Sequence, residues 1–101
     1  MMNRKHKILA FMADESKAKA VLDKYCLGCV IAKQRMRDRA QVVSDKEQIT
    51  ILFRSPGRLD GARRVDRIVV DKMFTECLAW EEIKDTTLLP LLPLNSSVEV
   101  I

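Results

Sequence analysis

The run Arg67-Ile68-Val69-Val70-Asp71 constrains this chain more than any other stretch. Its apolar residues do not alternate with polar ones, which suits a strand buried on both faces, as in a parallel sheet covered by helices. It ends on a carboxylate. Upstream, Ile49 to Phe53 is a second apolar, β-branched run, stopped by Ser55-Pro56-Gly57, and reads as a strand entering a turn. Between the two lies a glycine-containing loop with Arg58, Arg63 and Arg64, and Arg67 opens the strand that follows.

The remaining pattern fits around these strands. Lys7 to Ala13 reads as a first strand. Asp14-Glu15-Ser16 then supplies N-cap chemistry and acids at a helix start. Ala18, Leu22, Tyr25, Cys26, Cys29, Ala32 and Met36 recur at spacings of three and four, predicting a long helix over 16–39, with Gly28 a candidate break. Ala40 to Ser44 and Gln48 to Arg54, joined by Asp45-Lys46-Glu47, read as a hairpin. Lys72 to Lys84 looks helical, with Met73, Cys77, Trp80 and Ile83 on one face. Pro90 and Pro93 exclude regular helix from 88–94, predicting an extended Leu/Pro arm. Residues 95–101 are a short strand or a frayed tail. The expected architecture is α/β: a mixed sheet of three to five strands flanked by two helices, with one domain over 1–84 and the arm over 85–101.

A chain of 101 residues holds one core, and 48% hydrophobic with 32% charged residues excludes wholesale disorder. The net charge of +4 is unevenly spread. Residues 1–75 carry 17 of the 18 Lys and Arg and nine of the 14 Asp and Glu, and residues 76–101 carry the rest. A basic body with an acidic tail fits a nucleic-acid or acidic partner, or attraction between copies. Three cysteines and no signal-like start point to free thiols and a cytoplasmic setting. No apolar run approaches the roughly 18 residues that span a bilayer, so no membrane role is expected.

Cys26-Leu27-Gly28-Cys29 is a C-x-x-C, a candidate redox pair or half of a zinc site. It lies inside a helical pattern and lacks a second close pair, so core packing is the preferred reading. His6 is the sole histidine, in a basic N-terminal run expected to be exposed. Ser55, Ser96 and Ser97 lack a nucleophile-elbow context. Neither standard phosphate-binding glycine loop is present. Arg54, Arg58, Arg63, Arg64 and Arg67 fall within 14 residues, with Asp60 and Asp66 interleaved. Arginine's planar fork suits phosphate and carboxylate recognition. With no aromatic among them to stack bases, a nucleic-acid role would rest on backbone contacts. A solvated loop with local Arg–Asp pairs explains the same residues.

From Gln48 to Met73 the chain resembles the segment leading into the Walker B strand of P-loop ATPases of the large-terminase, viral DNA-packaging type. In that family a hairpin strand is followed by a loop with Gly and Arg, then a strand ending in Asp-Glu. Ile8 to Ala13 and the helix after Asp14 are similar to the preceding strand and helix, so the likeness covers about residues 7–84. Two departures matter. The nucleotide-binding loop is missing, and Lys72 stands where the family has its catalytic glutamate. The resemblance implies a reduced viral relative of half an ATPase core, with Asp71 the candidate Mg ligand and negligible ATP hydrolysis by this chain alone.

The expected function is a non-catalytic binding protein that contacts nucleic acid or another phosphate-bearing ligand through the arginine loop. The alternative is a protein-interaction or inhibitor module that docks on a host or viral machine through Trp80 and the arm residues Leu88, Leu89, Leu91, Leu92 and Leu94. A third reading, an enzyme centred on Asp71, lacks a nucleophile, base and phosphate loop that come together. No resident cofactor is expected, with Mg at Asp71 or Zn at Cys26 and Cys29 the candidates. An uncovered sheet edge predicts a homo-oligomer, a dimer being the simplest.

Overall fold

The structure is a computed structural model and describes residues 5–54, 56 and 64–101. Six strands form one mixed sheet: β1 (His6–Phe11), β2 (Val30–Arg35), β3 (Arg39–Ser44), β4 (Glu47–Leu52), β5 (Arg67–Val70) and β6 (Glu99–Val100). Their order is β2-β3-β4-β1-β5-β6. The four strands β4, β1, β5 and β6 run parallel, and β3 and β2 extend the sheet antiparallel beyond β4. The helices are α1 (Glu15–Tyr25), α2 (Lys72–Thr75) and α3 (Trp80–Ile83). The sheet therefore has more strands, and the chain more helices, than the three to five strands and two helices expected.

The non-alternating runs are buried on both faces, as their composition requires. Ile8 and Ala10 of β1 and Met12 just after it pack with Ile49, Ile51 and Val69 against Ala18, Val21 and Tyr25 of α1. The intervening Leu9 and Phe11 join Leu52, Ile68 and Val70 against Trp80, Leu88 and Leu92 on the other face. Helices thus cover opposite faces. That is what right-handed crossovers produce when β1 connects to β4 on one side and β5 connects to β6 on the other.

Three sequence expectations are corrected. The helix predicted over 16–39 ends at Tyr25, where Cys26 turns extended (ψ 106°). The loop that follows is pinned, with the Leu27 N–H donating to the buried Glu47 at 2.6 Å and the Cys29 N–H to Asp45 at 2.8 Å. Gly28 lies so close to Asp45 that a Cβ there would meet its Oδ1 at 1.9 Å. Residues 30–35 then pair with β3 instead of continuing the helix. The spacings of three and four were met by Cys29, Ala32 and Met36 by chance, because all three are exposed.

The helix predicted over 72–84 is two short helices separated by residues 76–79, and Met73 and Cys77 are exposed while Trp80 is buried. The segment 88–94 is not an extended arm. Residues 84–88 make a π-helical turn and 89–91 a 3-10 turn with Pro90 inside it, and Leu88 and Leu92 are core. Proline excludes a continued α-helix but not a short turn of this kind. Beyond it, β6 pairs with β5, so the tail is sheet. His6 opens β1, its N–H bonded to the Lys46 carbonyl at 2.9 Å.

Candidate functional site

Chain direction diverges between β1 and β5, and in open α/β sheets the crevice at the carboxyl ends of such strands is where ligands bind. Asp71 stands there. Its side chain is fully buried. Oδ1 accepts from the Lys17 ammonium at 2.6 Å and from the Met73 N–H at 3.1 Å, and Oδ2 accepts from the Ala13 N–H at 3.0 Å. One carboxylate thereby caps α2, holds the β1–α1 turn and anchors a lysine from the first turn of α1. Burial pushes its pKa up, but the Lys17 bond and the backbone N–H groups outweigh this and hold it below the usual carboxylate range. Its bond to Asp71 raises the Lys17 pKa in turn. Asp14 caps α1, accepting from the Lys17 N–H at 2.9 Å and the Ser16 hydroxyl at 2.7 Å, and both bonds lower its pKa.

This arrangement does not fit a Mg ion at Asp71, because the Lys17 ammonium occupies the position of a cation and the Met73 and Ala13 N–H groups hold both carboxylate oxygens. Among the described residues no three His, Cys, Asp or Glu side chains converge as metal ligands. Cys26 is half-buried against the α1-side core, whereas Cys29 is exposed, so core packing explains only the first.

Among the described residues, Arg54 does not share a surface with Arg64 and Arg67. Arg54 follows β4 and pairs with Asp38 at 3.9 Å. Arg67 opens β5 opposite Ile8, whereas Leu52 lies opposite Phe11. At about 3.3 Å per residue, Arg54 and Arg67 sit at opposite ends of the sheet, roughly 16 Å apart along the strands. Arg67 contacts Glu99 at 3.2 Å and stacks over the Tyr25 ring at 5.2 Å. Tyr25 donates its hydroxyl to the same Glu99 carboxylate, and burial together with that bond raises its pKa to about 12. Exposed Arg64 borders a shallow cleft of about 190 Å³ with Val65, Asp66, Leu91 and Pro93 at the amino end. Arg58 and Arg63 lie outside the described residues. Of the arm residues, Trp80, Leu88 and Leu92 are buried, Leu89 and Leu91 half-buried, and Leu94 exposed.

The hairpin β2–β3 brings together a basic group that the helix assignment concealed. Residues 29–39 are all exposed and carry Lys33, Arg35, Arg37 and Arg39. Arg39 pairs in register with Leu52, so the hairpin turn lies at the carboxyl end of the sheet, beside Arg54. Arg35 bonds Glu15 at 2.7 Å and stacks on the Phe53 ring at 4.4 Å, tying the hairpin to the start of α1. The sequence signal was present: the bases fall at every second residue, a strand period. Lys17, Arg35, Arg37, Arg39 and Arg54 therefore share the carboxyl edge, against Glu15, Asp38 and the buried Asp71.

Among the described residues no helix is long and apolar enough to cross a membrane. No protein-family model, no curated protein and no solved structure matches this chain.

Proposed function

We propose that this chain is a non-catalytic binding protein that grips the phosphate backbone of a nucleic acid along the carboxyl edge of its sheet. The observation that carries the reading is the exposed hairpin with Lys33, Arg35, Arg37 and Arg39, whose turn stands beside Arg54. Arginines on an exposed ribbon supply charge and paired donors for phosphate oxygens. Tyr25, Phe11 and Trp80 are buried and Phe53 and Phe74 half-buried, which leaves no exposed aromatic to stack bases, so binding tolerates sequence. The Lys17–Asp71 pair favours a structural role for Asp71, the residue that resembles the Walker B aspartate. This fits a reduced relative of a packaging ATPase that kept the strand and lost the chemistry.

The test is anisotropy of labelled single- and double-stranded DNA and RNA across a salt series. If Arg35, Arg37, Arg39 and Arg54 each neutralise one phosphate, log K falls against log salt with a slope of about −3.6 on duplex DNA, and Arg37→Ala/Arg39→Ala halves it. Arg58→Ala/Arg63→Ala/Arg64→Ala reports the loop separately. Binding that is absent at low salt, or indifferent to salt, refutes the reading.

A further inference from the structure

The two ends of this molecule carry complementary surfaces. Over residues 30–39 there are four bases and one acid, and the adjoining apolar side chains Leu27, Val30 and Ile31 are exposed. This is the outer edge of the sheet among the described residues, where β2 has β3 as its strand neighbour. Over residues 76–85 there are four acids and one base. Trp80 turns inward there, and Leu78, Glu81, Glu82 and Asp85 are exposed at spacings of three and four, Leu78 completely so at 106%. Glu81 pairs locally with Lys84 at 2.8 Å, and Asp85 also acts on the Lys84 charge, so the segment keeps a net acidic surface with Glu82 exposed beside them.

These surfaces cannot meet within one chain. Leu88 and Leu92, just after the acidic segment, are packed on the β1–β5 part of the sheet, and β2 lies four strands from β5, about 19 Å away at normal strand spacing. Two β2 edges cannot pair comfortably either. Lys33 and Arg35 are in register with Val42 and Ala40, on one face of the sheet, so a symmetric β2–β2 pair would gather four cations, and like charges across strands destabilise. The irregular register between Val30 and Ala32 also resists pairing. These features keep other strands off the edge, but they leave its cations exposed to a surface of opposite charge.

We propose that a second copy of this chain docks the Leu78, Glu81, Glu82 and Asp85 face onto the basic β2 edge of the first, head to tail. The two surfaces differ, so the contact is heterologous and repeats into a ring or filament instead of closing as a two-fold dimer. The proposal does not rest on nucleic-acid binding and is tested on nuclease-treated, nucleic-acid-free protein. In sedimentation velocity the native chain grows in mass with concentration at low salt and returns to monomer at high salt. Arg35→Glu/Arg37→Glu and Glu81→Lys/Glu82→Lys each weaken association at least tenfold, while circular dichroism stays native. Leu78→Ser weakens it without changing charge. An equimolar mixture of the two charge-reversed proteins associates again, because it pairs an intact basic edge with an intact acidic face, and the reversed edge and face are themselves opposite in charge. A native chain that is monomeric at every concentration overturns the proposal. So does association unaffected by Glu81→Lys/Glu82→Lys, or a mixture that stays monomeric.

Discussion

Replacing Asp71 by asparagine separates a structural carboxylate from a functional one. The side chain is fully buried and takes three donors: Lys17 Nζ, the Met73 N–H and the Ala13 N–H. Asparagine keeps one acceptor oxygen. If that oxygen holds Lys17 and Met73, the new NH2 faces the Ala13 N–H, donor against donor, and an unsatisfied buried amide costs about 1–3 kcal/mol. Loss of the charge adds about 1 kcal/mol, the value for a pair open to solvent, because Lys17 is 44% exposed. The sum is roughly 2–4 kcal/mol, a large share of the stability of a domain this size. Urea denaturation followed by the fluorescence of Trp80, the single tryptophan, measures it directly. Lys17→Met is also destabilising, because it leaves the buried carboxylate with two backbone donors and no counter-charge. The sign of the pH dependence follows from the lowered pKa of Asp71. Its contribution is complete above the unfolded value of about 3.9 and is lost as pH falls from there through the folded value, a limb that Asp71→Asn flattens. A functional carboxylate held at a cost to the fold behaves oppositely, its removal stabilising the protein. An Asp71→Asn chain within 0.5 kcal/mol of the native one (about the error of such a comparison), or more stable than it, refutes the structural reading.

Tyr25 is the only tyrosine, so phenolate absorbance reports it alone. Its titration midpoint lies near 12, set by burial and then by Glu99, and Glu99→Gln lowers it. Because the folded value is raised, the stabilisation is complete below about pH 10 and disappears as pH rises towards 12. A native midpoint at the ordinary tyrosine value contradicts the contact. Gly28→Ala pushes the Asp45 carboxylate from the Cys29 N–H, while Ser44, buried and bonded to the Glu47 backbone, cannot yield. The expected loss is about 1 kcal/mol, read by thermal melting. Most of it disappears in an Asp45→Ala background, which leaves only the 3.0 Å approach to Ser44 Oγ, and a full loss there locates the strain elsewhere.

The strands around β1 were legible because each is a short apolar run bounded by polar or turn residues, and the expected strands 7–13, 40–44, 48–54 and 67–71 differ from β1, β3, β4 and β5 by a residue or two. Asp71 was legible as the residue ending a doubly buried strand. Its partner Lys17 was not, because nothing local links two residues 54 positions apart. The basic hairpin was misread as helix because an exposed strand shows no apolar alternation, and the chance spacing of Cys29, Ala32 and Met36 outweighed the alternation of its bases.

Burial on both faces, the parallel core and the uneven division of charge follow from residue types and local spacing alone. They arise from hydrophobicity and backbone preference, which each segment carries with it. Strand order, the separation of Arg54 from Arg67 and the folding of the Leu/Pro segment onto the sheet belong to the tertiary structure. So does the meeting of the hairpin turn with the carboxyl edge. These depend on which distant segments pair, and that choice is made by the whole core at once: β1 is flanked by strands starting 41 and 61 residues after its own start, and no local pattern records such distances.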